Sequence, residues 1–185
     1  MTLKTTLTAA AAAALAVTAG FAALPVAAHQ HHAAVPAAPN IVQVAVSTGV
    51  HNTLVAAVKA AGLVKTLSGP GPYTVFAPTD TAFAKLPEGT VATLVKPQNK
   101  GMLTGILTYH VVAGKVTSAD LIKLIKKHGG EAMIETLSGG ELTARLSGDK
   151  IVITDEAGGA TAVTQADVMT SNGVVHVTDS VFLPG

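Results

Sequence analysis

Seven histidines, eleven carboxylates and seven serines are the side chains here with the means to do chemistry, and no cysteine accompanies them. That absence removes thiol nucleophiles, thiolate metal sites and redox switching. The serines fall at caps, turns and strand ends, without an evident base and orienting acid. No Gly-x-Ser-x-Gly elbow, His-Glu-x-x-His zinc helix or phosphate-cradling Gly-Lys-Ser/Thr loop occurs. The carboxylates are scattered, and Asp155-Glu156 beside the Gly158-Gly159 turn reads as a solvated loop. His110 and His176 stand among apolar neighbours, which favours buried, hydrogen-bonded imidazoles over ligands or bases. The expectation is a protein that is not an enzyme and carries no cofactor.

One group of residues could hold a metal, and it depends on processing. Met1 to Lys4 carries one positive charge, Ala9 to Leu24 is apolar and alanine-rich, and Val26-Ala27-Ala28 supplies small residues after Pro25. This is the order of a secretory signal peptide, expected to be cut after Ala28. The new terminus then reads His29-Gln30-His31-His32. A free amine, two backbone nitrogens and the His31 imidazole form the square-planar nitrogen set that Cu(II) and Ni(II) prefer, over His29, Gln30 and His31. The same composition also describes an ordinary His/Ala/Pro-rich lead-in over residues 29–40. Loss of Lys4 with the signal leaves eleven basic residues against eleven acidic ones. That balance predicts no nucleic-acid or anionic-lipid partner by bulk electrostatics. No second apolar run is long enough to span a bilayer, so no stable membrane anchor is expected, and export places the chain in the periplasm or outside the cell.

The elements that must position these groups lie in residues 41–185, read as one domain without internal repeats. Asn40 caps a helix from Ile41, and Asn52 or Thr53 caps a second that carries Leu54, Val55, Val58 and Ala61 and stops near Gly62. Tyr73 to Ala77 reads as a strand ended by Pro78, and Thr79 or Asp80 caps a short helix with Phe83. Helices follow through Met102 to Tyr109 and, capped by Ser118, through Leu121 to His128. The period then changes to two. Leu142 to Leu146, a Gly148-Asp149 turn and Ile151 to Ile153 form a hairpin, Thr161 to Thr164 a further strand, and Asn172-Gly173 introduces a last one, Val174 to Phe182. Helices first and hairpin strands later predict an α+β domain with helices packed on an antiparallel sheet.

Three segments resemble one family. Tyr73-Thr74-Val75-Phe76-Ala77-Pro78-Thr79-Asp80-Thr81-Ala82-Phe83 through Pro87 is similar to the first signature of fasciclin domains. Leu107-Thr108-Tyr109-His110-Val111-Val112-Ala113-Gly114 resembles the family's central Tyr-His segment, and Ser171-Asn172-Gly173 through Pro184 its closing signature. Thr178 and Phe182 depart from the residues the family commonly places there. The resemblance implies a β-strand wedge flanked by several helices and a role in extracellular adhesion or recognition of a cell-surface or matrix protein or glycan. It carries Tyr109, His110 and Asp179 over as candidate surface determinants. Pro78, Thr79, Asp80, Phe83, Asn172, Gly173 and His176 are expected to hold the fold. A rival role is carriage of a small apolar ligand such as a carotenoid, which other fasciclin-domain proteins resemble in binding. The lack of tryptophan counts against a pigment pocket.

Overall fold

The computed structural model describes residues 38–185. The expected signal peptide and the His29-Gln30-His31 motif lie outside the described residues. Helices α1 (Ile41–Ser47), α2 (Asn52–Ala61) and α3 (Val64–Leu67) come first, followed by β1 (Tyr73–Pro78), α4 (Asp80–Ala84) and α5 (Thr90–Leu94). A 3₁₀ turn at Pro97–Asn99 leads into α6 (Lys100–Tyr109), then β2 (Val111–Ala113) and α7 (Ser118–Lys127). The strands β3 (Glu131–Glu135), β4 (Glu141–Ser147), β5 (Lys150–Thr154), β6 (Ala160–Thr170) and β7 (Gly173–Thr178) complete it.

The caps follow side-chain chemistry. The Asn40 side chain accepts from the Gln43 N–H and the Gln43 side chain accepts from the Asn40 N–H, each at 2.9 Å, a reciprocal box that starts α1. Gly62 ends α2 with φ 77°, a left-handed conformation that costs glycine nothing. The cap of α7 is Thr117 rather than the expected Ser118: its side chain accepts from the Asp120 N–H, while Asp120 Oδ2 takes the Thr117 N–H at 3.2 Å and hydroxyl at 2.7 Å. The Ser118 hydroxyl is committed to Asp167 instead.

The strands form a seven-stranded sheet in the order β2-β1-β7-β6-β5-β4-β3. It is mixed, not purely antiparallel: β1 and β7, the first and last strands of the chain, pair in parallel from Tyr73↔Gly173 to Pro78↔Thr178. A bridge between Val112 and Thr136, with Leu137 N–H donating to Val111 O at 2.7 Å, brings the two ends of the sheet together. The central strands are covered on both faces. Val75, Ala77, Val111 and Val175 face one core with α1, α2 and α6, while Phe76, Val112 and Phe182 face a second core with α7 and the β3–β5 hairpins. That is why β1 and β7 read as unbroken apolar runs rather than alternating ones.

Six elements differ from the sequence expectation. β2, α3 and α5 are too brief for a period to show, and the alternation of β3 is masked because its outward-facing middle position carries the exposed Met133. The Gly148-Asp149 hairpin forms as expected. β6 runs far past Thr164, but its register shifts between Val163 and Gln165 and again before Val168, with Asp167 at φ 58°, so its alternation is broken. β7 ends at Thr178 instead of reaching Phe182, because Thr178 Oγ1 turns back onto Ser180 O and the Asp179 carboxylate takes the Ala162 N–H.

Candidate interaction surface

The three signature segments, spread along the chain from Tyr73 to Pro184, are neighbours in space. β1 carries the first, the end of α6 and β2 carry the second, β7 carries the third, and β1 lies hydrogen-bonded between the other two strands. Most of their polar side chains are spent where these strands and their helices join.

Tyr109 and His110 are inside the protein, at 0% and 2% exposure, which corrects the surface role carried over from the family and, for His110, agrees with the burial expected from its apolar neighbours. Tyr109 ends α6, and its hydroxyl donates to Glu141 O at 2.8 Å and accepts from Glu156 N at 3.0 Å. His110 bonds Ile106 O through Nδ1 at 2.8 Å and accepts the Phe182 N–H on Nε2 at 2.9 Å, so the ring is neutral with its proton on Nδ1. Burial depresses its pKa to about 4, against smaller opposing effects of the Ile106 carbonyl and the Asp155 charge. The next amide, Leu183 N–H, goes to Asp155 Oδ2 at 3.0 Å, and Asp155 Oδ1 takes Gly159 N–H at 2.6 Å. Asp155 is 7% exposed, so the loop read as solvated is a buried clasp on the last residues of the domain. His110 stacks on Phe182 with centroids 4.8 Å apart, Phe182 meets Phe76 edge-on at 5.5 Å, and Phe76 stacks on His176 at 5.5 Å. His176 bonds Val116 O at 2.9 Å and accepts Asp167 N–H at 3.3 Å, and burial lowers its pKa too.

The remaining signature residues pin one element to the next. His51 starts α2 without a side-chain cap of its own, and Asp80 supplies it from 28 residues away. Its carboxylate accepts Thr53 N–H at 2.7 Å and Asn52 N–H at 3.2 Å. Burial alone would raise the Asp80 pKa, but the bonds from Thr53 and Asn52 outweigh it and hold the carboxyl below its usual range. Thr79 caps α4 through the Ala82 N–H, Pro78 closes β1, and Phe83 packs on the first core. Asn172 reaches three segments: it accepts Ile41 N–H at 3.0 Å and donates to Leu67 O at 2.8 Å and Gly69 O at 2.9 Å. The next residue must be glycine, since a Cβ on Gly173 would lie 1.9 Å from Tyr73 O.

Of the three candidate determinants, Asp179 alone keeps an exposed side chain, at 41%. It stands just beyond β7, with Oδ1 on Ala162 N–H at 3.0 Å and Oδ2 3.5 Å from Lys85 Nζ. It borders a groove of about 450 Å³ with Ser118 and Ile122 of α7, Asp149 and Thr164. Two apolar cavities sharing Leu54, Leu107 and His110 hold about 30 and 20 Å³, room for a water molecule each. A wider cleft of about 300 Å³ opens between α1 and the bulged β6, lined by Val44, Ala45, His51, Gln165 and Val168. His51 bonds the Thr48 hydroxyl through Nδ1 at 2.8 Å; its Nε2 is buried and lacks a partner of good geometry, though the Ala77 carbonyl acts on it. Sequence reading missed Asp155, Asp167 and His51. The one available signal for Asp155 was an acid four residues before a glycine whose N–H it takes, too common a pattern to single out.

A family model described as Fasciclin domain matches residues 49–184. Protein sll1483 of Synechocystis is 48% identical over 152 residues, 82% of this chain and 77% of that protein. Immunogenic protein MPB70 of Mycobacterium bovis is 38% identical over 122 residues, 66% of this chain and 54% of that protein, so this chain spans about half of it. Among solved structures, the domain pair from the insect cell adhesion molecule fasciclin I superposes with a TM-score of 0.70 at 20% identity, over 78% of this chain and 51% of that one.

Proposed function

The chain belongs to the fasciclin-domain family, and from that premise we propose that it is an exported, non-enzymatic interaction module for a protein or glycan of the cell surface or matrix. In this reading the signal peptide is removed after Ala28 and the domain works outside the cytoplasm. The observation that carries it is the division of labour among the signature residues. Tyr109, His110, Asp80, Asn172 and His176 are consumed by internal hydrogen bonds, whereas Asp179 is held by Ala162 N–H and Lys85 with its carboxylate still open to solvent. A fixed charge at the rim of a groove suits recognition, because little side-chain entropy is lost on contact.

Asp179→Asn is the test, since the amide oxygen still accepts from Ala162 N–H while the charge is gone. Binding of the purified chain to host cells or matrix should weaken with unfolding behaviour unchanged. Unaltered binding by a folded variant removes Asp179 from the contact surface. Tyr109→Ala cannot serve here, because it opens a cavity and orphans two backbone groups.

A second reading, carriage of a small apolar molecule, draws support from the cleft between α1 and β6, whose walls are Val44, Ala45, Val168 and Val175 with His51 at the border. An absorption spectrum and a native mass of the protein from its host decide it. A bound mass that His51→Phe abolishes favours the carrier, and a bare polypeptide mass ends that reading.

A further inference from the structure

The even charge balance conceals a segregated one on α7. Lys123, Lys126 and Lys127 are exposed and stand three and four positions apart, so they share a face; Lys115 precedes them and His128 follows, both exposed. The opposite face is spent on the second core, with Leu121 and Ile125 at 0% and 1% exposure. Ion pairs among the described residues are Lys85–Asp179 and Arg145–Glu131, so none of these four lysines is within pairing distance of a carboxylate. Asp120 is the nearest acid on the helix. Its carboxyl is held below the usual range first by the Thr117 hydroxyl and backbone and only then by Lys123 and Lys115, and it is committed to the cap. The helix dipole accounts for cations in the last turn, at Lys126 and Lys127, but not for Lys115 or Lys123.

We propose that this face docks an acidic polysaccharide, a polymer of uronate or sulfated sugars, through Lys115, Lys123, Lys126 and Lys127. The inference rests on the interaction-module reading and names the partner's chemistry. Lysine is a hydrated point charge on a flexible stem, which suits repeated, loosely positioned carboxylates or sulfates. A membrane is the poorer partner, because Leu124, at 37% exposure, is the sole large apolar side chain of α7 left exposed to enter it. Nucleic acid is poorer as well, since the face offers no guanidinium and, at its end, the single imidazole of His128 in place of a row of rings on which bases stack. The groove beside Ile122 holds Asp149, Asp179 and Lys150, with Lys85 paired to Asp179, so its charges balance and the unpaired lysines on the outer side of the helix carry the attraction.

The test uses the full chain, a triple variant Lys123→Ala/Lys126→Ala/Lys127→Ala, and a charge-matched control with exposed lysines elsewhere, Lys59→Ala/Lys65→Ala/Lys96→Ala. Each is titrated against heparin and polygalacturonate at low and high salt, after circular dichroism has shown that it folds. The wild type and the control should bind at low salt and release at high salt, and the α7 variant should bind about tenfold or more weakly. Equal loss in both variants, or no binding by the wild type, overturns the proposal. Preference for a mixed-sequence oligonucleotide or for phosphatidylglycerol vesicles over both polysaccharides overturns the choice of partner. Absence of polysaccharide binding by the wild type, with Asp179-dependent cell binding present, sinks this inference alone and leaves the interaction module standing.

Discussion

Acid acts on this fold through His110. The ring's two nitrogens are already committed, one donating to Ile106 O and one accepting from Phe182 N–H, so a second proton has to displace the amide that holds the end of the domain. Burial places the folded-state pKa at about 4, against 6.5 for a free imidazole. A depressed pKa means that the stabilisation is complete above about pH 6.5, declines as pH falls, and is fully lost below about pH 4. The whole difference corresponds to about 3 kcal/mol, of which about 2 kcal/mol disappears between pH 7.5 and pH 5. His176, also lowered by burial, contributes with the same sign. The depressed carboxylates Asp80, Asp120 and Asp167 lose their share only near or below pH 4, so the interval above pH 5 isolates the histidines. Urea unfolding followed by circular dichroism, chosen because there is no tryptophan, measures the loss at the two pH values. NMR titration of the His110 ring reads its pKa directly. A ring that titrates above about pH 6, or a stability that changes by less than about 1 kcal/mol over that interval, refutes the reasoning. His110→Gln, if it folds, should flatten the pH dependence while lowering stability at neutral pH.

Asp80→Ala removes the remote cap of α2 and should cost about 1–2 kcal/mol in urea unfolding, with the difference from wild type shrinking as pH falls below about 4. Gly173→Ala drives a methyl group into Tyr73 O and should cost more than about 3 kcal/mol or prevent folding, whereas Gly105→Ala, with open space around its Cβ, should leave thermal unfolding unchanged or raise it slightly. Tyr109→Phe leaves Glu141 O and Glu156 N–H without a partner and should cost about 1–3 kcal/mol by the same measurement. If the mature chain begins at His29, one equivalent of Cu(II) should bind with a weak visible band that a chelator abolishes, and His31→Ala should remove it. A different first residue on N-terminal sequencing rules out that site.

Much of this fold was legible along the chain because local physics dictates it. Asn40, Gly62 and the Gly148-Asp149 turn start, stop and reverse the backbone through contacts spanning a few residues, and each stands where side-chain chemistry alone would put it. The three signature segments were legible as strings of residues in the same way, and so was the apolar surrounding of His110 and His176. What spans long separations was hidden. The parallel pairing of β1 with β7 joins residues about a hundred positions apart, and no local pattern records which distant strand will take a free edge. The same holds for Asp80 capping α2, for Asp155 and His110 taking successive amides of the last residues, and for Tyr109, whose hydroxyl reads as a surface feature until Glu141 and Glu156 arrive to satisfy it. By itself, then, the sequence determined the longer helices, the Gly148-Asp149 hairpin and the family they spell. Only the tertiary structure decided which polar residues are free to meet a partner, because burial belongs to the packed chain and not to any stretch of it.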